Sequence, residues 1–139
     1  MPTLLRQIIM DAYIKFEGNV NEDDSYNLKK LANIIQEECD LPVKVEKKEA
    51  EPGVRDGGLA MGIAIASLTL AAIQTLFSVL QYWESKQPKY SLSISFENQI
   101  IRKTLLIESS SAEEIKTVIS NLQAESSIDY IEVQVYRKE

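Results

Sequence analysis

Catalysis needs nucleophiles, proton carriers or metal ligands, and this chain holds few of them. It has no histidine and a single cysteine, Cys39, which excludes an intramolecular disulfide, histidine-based catalysis and the usual zinc sites. Cys39 stands beside Glu37, Glu38 and Asp40, carboxylates that raise a thiol pKa and so favour an inert side chain over a nucleophile. Two carboxylate pairs, Asp23-Asp24 and Glu113-Glu114, have the composition for acid-base or metal chemistry. Both fall at the starts of predicted helices, where capping and complementation of the helix dipole account for them. The sequence contains no phosphate-binding glycine loop with lysine, no nucleophile elbow and no metal-ligand cluster. The expectation is a non-enzymatic protein with no cofactor, no metal and no catalytic residue.

Charge narrows the partners. Fifteen Lys and Arg against 21 Asp and Glu leave a net charge of −6, and phosphate backbones require a concentrated basic surface, so a nucleic-acid partner is not expected. The N-terminus lacks the basic-then-apolar layout of a secretory leader, which makes the cytoplasm the expected compartment. A chain of 139 residues fits one domain, residues 1–139.

The elements that must position any site can be read from periodicity. Ile8, Met10, Ala12, Ile14 and Phe16 alternate with polar residues, predicting a strand over 7–17 that ends at Gly18-Asn19. The acidic cluster from Asn21 to Ser25 then starts an amphipathic helix, roughly 23–38, with Tyr26, Leu28, Leu31, Ile34 and Ile35 at helical spacing. Val43 and Val45 alternate with Lys44 and Glu46 in a second strand. Residues 50–58, with Pro52, Gly53, Arg55, Gly57 and Gly58, form a connector rich in turn chemistry, an exposed place for a hinge or a cleavage. After Pro88, strands are predicted over 90–97 and 100–108, joined by a turn at Asn98-Gln99. A Ser111-to-Glu114 capping box opens a helix bearing Ile115, Val118, Ile119 and Leu122, and a last strand covers 128–136.

Between these halves lies Gly57 to Trp83, a stretch without one charged residue. As a continuous helix at 1.5 Å per residue it would reach roughly 40 Å, longer than the ~30 Å hydrocarbon core of a bilayer. On a helical wheel Ala60, Ser67, Gln74 and Gln81 fall seven residues apart, as do Ala64, Ala71, Ser78 and Ser85, making one small-and-polar seam. Ile65, Leu68, Ile73, Leu76, Val79, Leu80 and Trp83 fill the remaining face. Gly58 and Gly62 fit the small-xxx-small spacing of closely packed helices. The expected architecture is therefore α+β: a ferredoxin-like mixed sheet of about five strands, two amphipathic helices, and a long apolar helix over 57–86 inserted between residues 1–56 and 87–139. That helix is expected to meet a protein partner or identical subunits through Gly58, Gly62, Ser67, Ala71, Gln74, Ser78, Gln81 and Trp83. The alternative is a membrane-disrupting effector whose helix 58–83 inserts and oligomerises after a trigger such as proteolysis at 50–58. Tyr82-Trp83 would then serve as an interfacial anchor.

The succession of a small strand-helix-strand unit, Glu51-Pro52-Gly53, Gly57-Gly58, an apolar segment ending at Trp83, Ser91 to Ser95 and the 100–107 strand resembles the effector-associated constant component family, over about Pro42 to Leu122. The chain departs from that pattern in lacking a basic cluster after Trp83 and in having Asn98-Gln99 where the family has an Asp-Gly turn. The resemblance implies a non-enzymatic component of a bacterial conflict system, working beside a peptidase-type or nucleotide-dependent partner. The cytoplasm remains the expected compartment, with the membrane reached only on activation of the apolar segment.

Overall fold

The computed structural model describes residues 9–49, 59–98, 102–125 and 130–138. Strand β1 (Ile9–Phe16) buries Met10, Ala12, Ile14 and Phe16 while Asp11 and Lys15 stay exposed, as its alternation requires. Helix α1 (Glu22–Cys39) is started by Asn21, whose side chain accepts the Asp24 N–H at 2.8 Å while the Asp24 carboxylate accepts the Asn21 N–H at 3.2 Å. It ends on Asp40 in the left-handed region, φ 52°. Strand β2 (Val43–Glu49) follows.

The uncharged run is not one helix. It divides into strand β3 (Leu59–Thr69) and helix α2 (Leu70–Lys86). Met61, Ile63 and Ile65 are buried, and the intervening Ala60, Gly62, Ala64 and Ala66 point to the opposite face, a period of two in which both sets are uncharged. The β-branched isoleucines favour strand over helix interior here. Between Ile65 and Leu68, Ala66 and Ser67 together oppose Asp11 alone, a β-bulge with Ser67 at φ 61°. The extra residue resets the alternation and turns Leu68 into the core, where it is fully buried. Thr69 then caps α2, its Oγ1 accepting the Ala72 N–H at 3.2 Å. Among the described residues no helix is long and apolar enough to cross a membrane.

Strand β4 (Tyr90–Glu97), strand β5 (Arg102–Leu106), helix α3 (Ala112–Glu125) and strand β6 (Tyr130–Arg137) complete the chain. The six strands form one mixed sheet in the order β2-β3-β1-β6-β4-β5, one strand more than expected. β1 and β2 are both antiparallel to β3, hence parallel to each other and joined through α1 around it. β5 and β6 flank β4 in the same way, joined through α3. The two units meet along the parallel β1–β6 pair, and α2 carries the chain from one to the other. α2 lies between α1 and α3, and its Ile73, Leu76, Phe77 and Leu80 pack with Ile14, Ile63, Ile94 and Val133 in one core. The apolar segment thus supplies one strand of the central sheet and the middle helix of the helical layer, rather than an insertion.

Candidate functional site

With the helices on one face, the other face of the sheet is open among the described residues. Register fixes its pattern. Glu46 of β2 and Lys15 of β1 lie on either side of Gly62, and Lys44 and Tyr13 on either side of Ala64. Asp11 pairs with Tyr130, and Tyr13 with Glu132. Tyr13 leans over β3: a Cβ built on Gly62 would come within 2.0 Å of the Tyr13 hydroxyl oxygen and 2.3 Å of its ring carbon Cζ. Gly62 is therefore where it is because a side chain crosses its backbone, not because a second helix approaches it.

Two shallow grooves of about 400 Å³ lie on the two sides of Tyr13. One is bordered by Lys15, Glu46 and Ala60, the other by Asp11, Lys44, Ala64 and Ala66, and Tyr13 and Tyr130 border both. Each groove therefore carries one acid, one lysine and the same pair of phenols. Burial is the main cause that raises the pKa of both tyrosines. Glu46 adds to the effect at Tyr13 through charge and a hydrogen bond, and Glu132 and Glu97 add to it at Tyr130. Both phenols stay protonated at neutral pH.

Beyond β1 the open face becomes a closed polar network. Ser93 and Ser95 are buried, and both hydroxyls reach the buried Gln134 amide, at 2.7 Å from Ser93 and 3.2–3.4 Å from Ser95. Gln134 Nε2 also donates to Glu132 at 2.7 Å, Ser95 meets Thr104 at 2.9 Å, and Arg102 bridges Glu97 and Glu132 at 3.7 and 3.8 Å. Their partners are satisfied within the sheet, so this half fixes strand register rather than offering open valences.

The residues expected on one helical seam are divided between the two faces of the molecule. Gly62 is under Tyr13 on the open face, and Ser67 is exposed at the bulge. Ala71, Gln74 and Ser78 lie on the outward side of α2, exposed. Gln81 is half-buried, its amide donating to the Ser110 carbonyl at 2.9 Å and to that of Ile107 at 3.4 Å, where it holds the β5–α3 turn. Trp83 is 4% exposed and stacks on Tyr90 with centroids 5.3 Å apart, so it is a core residue and neither an anchor nor a contact surface. Tyr82, by contrast, is 61% exposed. Gly58 and the predicted hinge residues Pro52, Gly53, Arg55 and Gly57 lie outside the described residues, as does Gln99 of the expected turn.

The carboxylate pairs do what helix starts require. Asp24 is buried and accepts the Tyr90 hydroxyl at 2.6 Å, the Asn21 N–H and the Arg137 guanidinium, while Asn27 donates to Tyr90 Oη at 3.1 Å. Glu114 takes the Ser111 N–H at 3.3 Å in the expected capping box. Cys39 is half-buried, and burial first, then Glu38, raises its pKa, which keeps the thiol protonated. Among the described residues no group of three acids, cysteines or histidines is placed to hold a metal.

Sequence periodicity passed over Tyr13, Tyr130 and the acid-lysine pattern of β1 and β2. The usable signal was the alternation of small with large residues from Ala60 to Ala66. Comparison with protein-family models, with curated proteins and with solved structures found no significant match.

Proposed function

We propose that this chain is a non-enzymatic adaptor, an effector-associated component of a bacterial defence system that works by protein-protein association. Its two strand-helix-strand units support kinship with ferredoxin-like sheets, and the family resemblance supplies the expected partner, a peptidase-type or nucleotide-dependent conflict protein. The observation that carries the reading is the outward face of α2. Ala71, Gln74, Thr75, Ser78 and Tyr82 are exposed and uncharged in the middle of the helical layer of a protein with net charge −6. Small residues at Ala71 and Ser78, seven apart, let a second helix approach closely, and the lack of charge matches a partner helix that is itself uncharged at the contact. Membrane insertion of 58–83 would require β3 to leave its ladders with β1 and β2, and nothing observed favours that route.

The test is co-expression with the products of neighbouring genes. A complex that co-purifies and is lost in Gln74→Glu/Ser78→Glu supports the reading. A complex that forms equally well with both charges installed contradicts it.

A further inference from the structure

The open face carries an alternating charge pattern around β3. On the β2 side Glu46 is followed along the strand by Lys44, and on the β1 side Lys15 is followed by Asp11. Acid faces base across Gly62, and base faces acid across Ala64 and the bulge, so the four corners read minus, plus, plus, minus. A two-fold axis parallel to β3 and above it exchanges the β1 and β2 sides while keeping position along the strand. Applied to this pattern, it sets Glu46 over the second copy's Lys15, and Lys44 beside the second copy's Asp11, each twice. The surface is therefore complementary to itself, which an isologous contact requires.

Shape agrees with charge. The axis runs over β3, where the Tyr13 ring covers Gly62, and brings the two Tyr13 rings together at the centre, the position where aromatic anchors carry most interface energy. Lys15 has a neighbour in its own chain, Glu17, but at 3.9 Å with the lysine side chain 54% exposed this pair leaves the ammonium available. The sheet edges do not compete for the second copy, because β2 carries Lys44 and Lys47 and β5 carries Arg102 and Lys103, charges that discourage strand addition.

We infer that the open face of the sheet is a weak homodimer interface, formed about a two-fold axis along β3 with Tyr13 at its centre. The overlap spans three strands, roughly 15 by 25 Å from strand spacing and rise, which belongs with small, transient interfaces rather than obligate ones. It uses a different face from the α2 contact and stands or falls separately.

A charge exchange tests it. In Lys15→Glu an introduced acid faces Glu46 of the second copy, and in Glu46→Lys an introduced base faces Lys15 of the second copy, so each variant alone repels itself. Mixed together, the two variants again set acid against base across the axis. Sedimentation velocity from about 10 μM to 1 mM at low salt should show concentration-dependent dimer for the wild type, monomer for either variant, and dimer for the equimolar mixture. Circular dichroism establishes that each variant is folded. Independently of any variant, NMR shifts of the wild type on dilution should move at Tyr13, Ala64 and Tyr130, and Gln74→Glu/Ser78→Glu should leave the dimer unchanged. A wild type that stays monomeric at 1 mM, a mixture no heavier than its components, or dilution shifts confined to α2 would overturn the inference.

Discussion

Replacing Gly62 with alanine has opposite consequences in a strand crossed by Tyr13 and in a helix. In a helix interior the change removes a glycine penalty and should stabilise by about 0.8–1 kcal/mol. In the structure, the new methyl would meet the Tyr13 hydroxyl at 2.0 Å and Cζ at 2.3 Å, closer than real contacts allow. The ring must swing away, giving up its shelter over β3 and its hydrogen bond with Glu46. Overpacking of this kind costs roughly 1–3 kcal/mol. Relief of the glycine entropy returns about 0.5–1 kcal/mol, so the net effect lies between neutrality and a destabilisation of about 2.5 kcal/mol. Urea unfolding measures it, with the slope of the transition checked for constancy. The same substitution made in Tyr13→Ala should be neutral or stabilising, which gives a coupling of at least about 1 kcal/mol between the two positions. A Gly62→Ala protein more stable than the wild type, with Tyr13 present, would refute the placement of Tyr13 over β3.

Other substitutions probe the same architecture. Ser67→Gly should stabilise by about 1 kcal/mol in chemical denaturation because Ser67 holds φ 61° at the bulge, whereas in a helix it would destabilise by a similar amount. Thr69→Ala should cost about 1 kcal/mol through loss of the α2 cap. Tyr90→Phe keeps the stack on Trp83 but leaves Asp24 and Asn27 without the hydroxyl, so a loss of about 2 kcal/mol is expected by urea titration. Glu84 is 8% exposed, and burial raises its carboxyl above its ordinary 4.5 despite the hydrogen bond it accepts from the Leu92 N–H at 2.7 Å. The folded state therefore holds this proton more tightly than the unfolded chain. Stability tied to it is present below pH 4.5 and is lost as pH rises through the folded value. Glu84→Gln, which retains an acceptor oxygen for Leu92, should remove that slope and be more stable than the wild type at pH 7; an unchanged pH profile would contradict the assignment.

Where polarity alternated with burial, the fold was legible. Met10 to Phe16 read as a strand because Asp11 and Lys15 mark the outward positions, and α1 read as a helix because Asn21 and Asp24 announce its cap. Asn21 through Asp24 and Ser111 through Glu114 gave both helix starts within a residue or two. From Leu59 to Lys86 the same reasoning failed for a physical reason. The open face over β3 is sheltered by Tyr13, so its outward positions are Ala and Gly instead of polar residues, and the period of two is written in size rather than charge. The bulge at Ser67 then shifts the phase, bringing Leu68 into line with a helical count. The seven-residue spacing of Ser67, Gln74 and Gln81 is consequently a coincidence of two elements joined at Thr69. The open-face pattern was illegible for a related reason: Asp11, Lys15, Lys44 and Glu46 are brought together only by β3 inserting between β1 and β2.

The division of the uncharged segment underlies the rest, and backbone NMR of the full chain measures it directly. Carbon secondary shifts should be those of a strand from Leu59 to Leu68 and turn helical at Leu70, with cross-strand NOEs from Gly62 to Glu46 and to Lys15. Helical shifts running unbroken from Leu59 to Trp83, without those NOEs, would contradict the account.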